Sequence, residues 1–146
     1  MNMTPVVWNH GPIPMLEEAL NEAKNTKNWF KAVVYSAIYL EKYGYLSIKD
    51  YLESLKVDPR FCKKLLFHID FRRINDYLLS IDAINDQEFK TIEAIRKERN
   101  KFVHREEGVK YLIGTKASQT YEPLVKEAIR ILREKLKAEK LFAYKV

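Results

Sequence analysis

The chain has 146 residues, the size of one domain, and 47% of them are hydrophobic, enough to bury a core without disulfides or a structural metal. Cys62 is the only cysteine, so an internal disulfide and a cysteine-based zinc site are excluded. The sequence contains neither an apolar run of about 20 residues nor a secretory leader, so we expect a soluble cytoplasmic protein without a membrane partner. The three histidines lack metal-ligand spacing, and we expect no metal and no cofactor.

The net charge of +6 is unevenly distributed along the chain. Residues 1–95 contain 12 lysines and arginines against 13 carboxylates, whereas residues 96–146 contain 14 against 7. The excess is densest at residues 96–105. A concentrated positive field attracts polyanions, of which RNA and DNA are the commonest. Charge alone leaves a second interpretation open, a lysine-rich helix face in contact with solvent.

The spacing of apolar residues is helical over nearly the whole chain. After an irregular arm at residues 1–13, a first helix is predicted from Met15 to about Thr26. A second helix follows and is expected to end at Gly44. Ser47, with an aspartate three residues later, resembles a capping box and predicts a short third helix.

The middle of the chain carries a strong helix start, because Asp58 supplies an N-cap acceptor and Pro59 lacks the amide that the first turn does not use. The apolar stripe changes phase further along. Whether residues 58–84 form one bent helix or two is therefore left open.

Two longer helices are predicted to complete the chain. Asn85 and Asp86 cap a helix that runs to about residue 107, with Gly108 as its stop. A loop around Gly114 leads to the last helix, with Pro123 in its first turn. The expected fold is all-α, a single compact bundle of about five to six helices.

The inward stripe of the penultimate helix contains a charged residue. It steps by three and four through Ile92, Ile95, Arg99 and Phe102. An arginine belongs on an apolar face only if it is paired, extends its charge to solvent or is functional. The structural alternatives are an ion pair with Glu41, Glu93 or another carboxylate, and for His104 a role at the helix C-terminus.

The segment Arg99-Asn100-Lys101-Phe102-Val103-His104 resembles the R-x(4–6)-H motif of the HEPN superfamily, in the form with Asn directly after Arg. The motif lies near the end of the penultimate long helix of an all-α chain, and residues 121–132 are similar to the closing helix of that superfamily. The resemblance covers six residues in motif and most of the chain in architecture. It implies a single HEPN-like domain at 1–146.

The resemblance further implies a homodimer in which two copies of the motif line one cleft, where active members cut RNA without a metal. Arg99 and His104 map onto the catalytic residues, and Asn100 onto a residue that orients them. Many toxin-type members carry tyrosine two residues after the histidine, and a partner nucleotidyltransferase modifies it. This chain has Glu106 there, which argues against the toxin half of such a pair.

The sequence hypothesis is a metal-independent endoribonuclease that acts on single-stranded RNA in defence, stress or RNA processing. The residues expected to bind RNA are Arg96, Lys97, Lys101 and Arg105. The alternative is a non-catalytic helical module that binds RNA, a nucleotide or a protein partner such as a nucleotidyltransferase.

Overall fold

A computed structural model describes residues 11–104 and 112–138, with side chains at 11–101 and 112–138. Within these ranges the chain is all-α, as predicted, with one isolated antiparallel bridge between Asn28 and Ile113. No helix in the described ranges has the length and apolarity needed to cross a membrane. The helices are α1 (Pro12–Thr26), α2 (Phe30–Ser54), α3 (Pro59–Leu65), α4 (Phe71–Ser80), α5 (Asp86–His104) and α6 (Thr115–Arg130), and α6 continues into a π-helical turn (Ile131–Lys135).

Helix α2 is the centre of the bundle and packs against each of the other five helices. Val33, Ala37 and Leu40 are spaced by four and three residues and are all buried. Trp29, just before α2, is fully buried, and its Nε1 donates to Ser118 Oγ at 2.8 Å. This bond satisfies the indole N–H inside the core and joins the start of α2 to α6.

The predicted end of the second helix at Gly44 is wrong, because α2 continues for ten further residues to Ser54. Gly44 instead lies where α2 meets α4. A Cβ at this position would lie 2.8 Å from Ile74 Cγ2 and 3.1 Å from Leu78 Cδ1, so only glycine permits this approach. Ser47 does not cap a new helix; its Oγ donates to the Tyr43 carbonyl at 2.8 Å.

Gly44→Ala should therefore destabilise the protein even though alanine favours helix. Helix propensity would contribute about 1 kcal/mol of stability, but overpacking against the stiff, branched Ile74 costs about 1–3 kcal/mol. We expect a melting temperature a few degrees lower, measured by circular dichroism beside Ser54→Ala, an exposed control on the same helix. A Gly44→Ala variant that melts above the wild type would show that α4 moves aside without cost.

Residues 58–84, for which the sequence left one bent helix or two open, form two helices, α3 and α4. Asp58 and Asp70 each cap one of them, since each side chain accepts a first-turn backbone N–H, at 2.8 and 2.9 Å. Between the helices His68 adopts a left-handed conformation with φ 55°. This conformation ends the helical path and turns the chain into α4.

The first and last helices begin earlier than predicted. Helix α1 begins at Pro12, because a proline in the first turn lacks only an amide that has no helical partner. The arm predicted over residues 1–13 therefore stops before Pro12, and residues 1–10 lie outside the described part. Helix α6 begins at Thr115, directly after Gly114 with φ 114°, and Pro123 lies in its interior rather than in its first turn.

Candidate functional site

Helix α5, which carries the motif, begins with a reciprocal cap. Asn85 Oδ1 accepts the Glu88 backbone N–H at 2.8 Å, and Glu88 Oε1 accepts the Asn85 backbone N–H at 2.8 Å. The capping role predicted for Asn85 is confirmed. Two first-turn amides are satisfied in this way, which fixes the start of α5.

Glu88 also lies at the centre of a charged cluster between α5 and α6. Its side chain is 1% exposed, and its Oε2 accepts from Arg130 Nη2 at 2.7 Å. Arg130 further pairs with Glu127 and Glu134, and Lys135 Nζ lies 3.8 Å from Glu88 Oε1. Burial alone would raise the pKa of Glu88, but the bonds from Asn85 and Arg130 outweigh it and lower that pKa.

Arg99 lies where α2, α4 and α5 meet. Ile92 and Ile95 are buried, as predicted for the inward stripe, and the Arg99 side chain remains 25% exposed. Its Nη1 donates to Glu41 Oε1 at 2.7 Å, and its Cζ lies 5.2 Å from the centre of the Phe71 ring. The pair with Glu41, one alternative left open by the sequence, is thus present. The guanidinium is held by an acceptor and by an aromatic face.

The other motif residues follow Arg99 along α5. Asn100 is half-buried. His104 is the last residue of α5 within the described range, about 7.5 Å further along the axis than Arg99 and about 140° round it in ideal geometry. The side chain of His104, and the whole of Arg105 and Glu106, lie outside the described residues.

Arg96, the first residue expected to bind RNA, is bound to a carboxylate on its own helix. Its Nη2 and Nε donate to the two oxygens of Glu93 at 2.8 and 3.1 Å. The hydrogen bond from Arg96, followed by that from Asn75 Nδ2, lowers the pKa of Glu93 despite burial. Both side chains are largely buried, and Glu93, through its bond from Asn75, joins α5 to α4.

Lys97 and Lys101 are exposed and line an open depression of about 540 Å³ along α5. Lys101 Nζ lies 3.1 Å from Glu98 Oε1, while Glu98 Oε2 accepts from the Tyr121 hydroxyl at 2.9 Å. Burial, and then the bond to Glu98, raises the pKa of Tyr121. Carboxylates within α5 therefore offset part of the positive charge that the sequence concentrates there.

The chain was compared with protein-family models, curated proteins and solved structures, and none of them matches it. Within the described ranges, no three histidine, cysteine or carboxylate side chains are grouped so as to hold a metal ion. The functional assignment therefore depends on the motif and on the surroundings of Arg99.

Proposed function

We propose that this protein is a metal-independent endoribonuclease of the HEPN type, which cleaves single-stranded RNA in the cytoplasm at a site shared between two copies of the chain. The observation that carries the proposal is the placement of Arg99. A cation on the inward stripe of α5 is held in one position by Glu41 and Phe71, yet keeps part of its surface in contact with solvent. Asn100 and His104 lie on the same helix within one and a half turns.

Arg99 is suited to hold a phosphate at this position. A guanidinium has five N–H donors in a planar fork, and Glu41 takes one of them in the described part of the chain. The Phe71 face restricts the plane of the fork without using a donor. Donors fixed before substrate binds stabilise the charge that develops on a phosphorane more than mobile ones do. Glu41 is therefore the positioning residue for Arg99.

The reaction needs a base, an acid and cations at the phosphate. The base removes the proton of a ribose 2′-hydroxyl, and the 2′-oxygen attacks the adjacent phosphorus. The bond from phosphorus to the 5′-oxygen breaks, and the acid gives that oxygen a proton, leaving a 2′,3′-cyclic phosphate and a 5′-hydroxyl. Histidine suits either role, because its unperturbed pKa is about 6.5. One chain supplies a single motif histidine, His104, and a two-fold dimer supplies the second.

A second candidate function is favoured by one observation. The ion pair between Arg99 and Glu41 is also what a purely structural arginine would form at a helix junction. In that case the protein is a non-catalytic helical module that binds RNA, a nucleotide or a nucleotidyltransferase-type protein. Wild-type protein that binds RNA without cutting it would support this function over the first.

The shared site predicts a homodimer under ordinary conditions, with the Arg99–His104 face of α5 at or near the interface. Sedimentation at tens of micromolar should give a single species of twice the chain mass. A monodisperse monomer would contradict the shared site and remove the second histidine from the mechanism.

The test of the function is a comparison of two oligonucleotides of the same sequence, one of RNA and one in which every 2′-hydroxyl is replaced by 2′-O-methyl. Both are incubated with purified wild type in excess chelator. We expect cleavage of the RNA alone, because the attacking group is the 2′-oxygen. Cleavage of both strands, or cleavage that the chelator abolishes, would overturn the proposal.

A further inference from the structure

We propose that an exposed aromatic and basic tip, residues 56–73, binds single-stranded RNA and guides the strand to Arg99. The tip comprises α3, the linker that follows it and the start of α4. The inference rests on the proposed function, because it identifies the surface that this site uses to hold its substrate.

The tip exposes large apolar side chains that none of the helices in the described ranges covers. Phe67 is 69% exposed, Phe61 is 58% exposed, and Leu65 lies one helical turn after Phe61. The rings of Phe67 and His68 are 4.0 Å apart between centroids, at an angle of 53°. The left-handed conformation of His68 places this pair in the linker, outside both helices. Exposed rings with a free face are the groups on which unpaired bases stack.

The tip is also strongly basic, in a part of the chain that has no net positive charge overall. It contains six lysines and arginines against two aspartates, Asp58 and Asp70, and both aspartates cap helices. A helix N-terminus carries partial positive charge, so a capping carboxylate repels an approaching phosphate less than a free one. All six cations are exposed: Lys56, Arg60, Lys63, Lys64, Arg72 and Arg73.

The tip is continuous with the proposed catalytic arginine. Phe71, the first residue of α4, is the ring on which Arg99 stacks. Phe67 precedes it by four residues, so their Cα atoms are at most about 15 Å apart. A strand of a few nucleotides spans this distance, with bases on Phe67 and His68 and a phosphate at Arg99.

Aromatic rings beside guanidinium and ammonium groups favour RNA over the other polyanions. An anionic membrane or an acidic protein helix would use the apolar area and the charge but would not require a ring. A substitution such as Phe67→Leu, which keeps the apolar area and removes the aromatic ring, therefore distinguishes RNA from a membrane or an acidic helix.

The experiment measures binding of a fluorescein-labelled single-stranded 12-mer RNA by anisotropy, in a His104→Ala background so that the RNA stays intact. Phe67→Ala and Phe67→Leu should both weaken binding about 5- to 150-fold, because a stacked base contributes about 1–3 kcal/mol. Lys64→Glu should weaken binding most at low salt. Ile113→Ala, an exposed apolar control on the loop before α6, should bind like its parent.

The results separate this inference from the proposed function. Wild type that cuts RNA, with Phe67→Ala binding RNA like its parent, would overturn the tip and leave the nuclease. RNA binding that depends on Phe67, without cleavage by wild type, would support the tip and overturn the nuclease. Phe67→Leu binding like its parent while Phe67→Ala is weak would show apolar docking and overturn stacking. Vesicles with 30% phosphatidylserine are the second probe. If Phe67→Ala loses binding to these vesicles but not to the RNA, the tip binds a membrane surface and the inference is overturned.

Discussion

Replacement of Arg99 by lysine should reduce RNA cleavage by at least about 100-fold, the usual cost of removing one fixed transition-state donor. Lysine keeps a positive charge beside Glu41 but loses the planar fork and the stacking on Phe71. Since the pair is only partly buried, the stability cost should be about 1 kcal/mol, or about 2–4 °C in melting temperature. Initial rates and thermal melts of the same preparations measure the two effects separately.

The matched control for this prediction is Glu41→Gln. Glutamine keeps an acceptor oxygen near Arg99 and removes the charge, so the cleavage rate should fall less than in Arg99→Lys, and RNA should bind at least as tightly. If both variants melt well below the wild type and no preparation cuts RNA, Arg99 is half of a structural ion pair and the binding module is the better account.

The largest effect on stability should come from Arg130→Met, at about 3–5 kcal/mol at neutral pH. The substitution removes the arginine partner of Glu88, whose buried carboxylate then keeps the Asn85 N–H bond but, among the described cations, only Lys135 Nζ at 3.8 Å. An unpaired buried charge costs far more than the net contribution of the pair. Urea denaturation of wild type and variant at pH 7 gives the difference in the free energy of unfolding.

The pH dependence of that difference identifies its cause. In the wild type the pKa of Glu88 is below its ordinary 4.5. The ionised Glu88 carboxylate therefore stabilises the fold above pH 4.5, and this stability is lost as the pH falls through the lowered pKa. In Arg130→Met the unpaired carboxylate gains by taking up a proton, so the gap between the two proteins should narrow as the pH falls.

A double variant serves as the control for the charge cluster. Glu88→Gln with Arg130→Met removes both charges and keeps a side chain able to cap Asn85. It should be more stable than Arg130→Met alone at pH 7. If Arg130→Met alone were as stable as the double variant at pH 7, Glu88 would not be an unpaired charge after the loss of Arg130.

Local patterns in the sequence predicted what depends on neighbours along the chain. The inward stripe of Ile92 and Ile95, the cap at Asn85 and the all-α class follow from periodicity and from side chains next to free amides. The sequence predicts a helix end at Gly44 because glycine usually ends helices, whereas in the structure this glycine lies within α2 and allows α4 to approach. Such an approach depends on Ile74, thirty residues away, and leaves no local signal.

The surroundings of the candidate site depend on the same kind of distant contact. Glu41 was one of several possible partners of Arg99, and only the packing of α2 against α5 selects it. The net charge of residues 1–95 does not reveal the basic tip, because acidic residues elsewhere in this range cancel the tip's positive charge. His68 is exposed although its neighbours along the chain, Phe67 and Ile69, are apolar.

The most direct test of the account is the chemistry of the cut ends. Wild type and His104→Ala are incubated with single-stranded RNA in chelator, and the fragments are examined for their terminal groups. We expect wild type to leave a 2′,3′-cyclic phosphate and a 5′-hydroxyl, and His104→Ala to bind the RNA without cutting it. Fragments with a 5′-phosphate, or equal cleavage by the two proteins, would contradict a metal-independent nuclease built on Arg99 and His104.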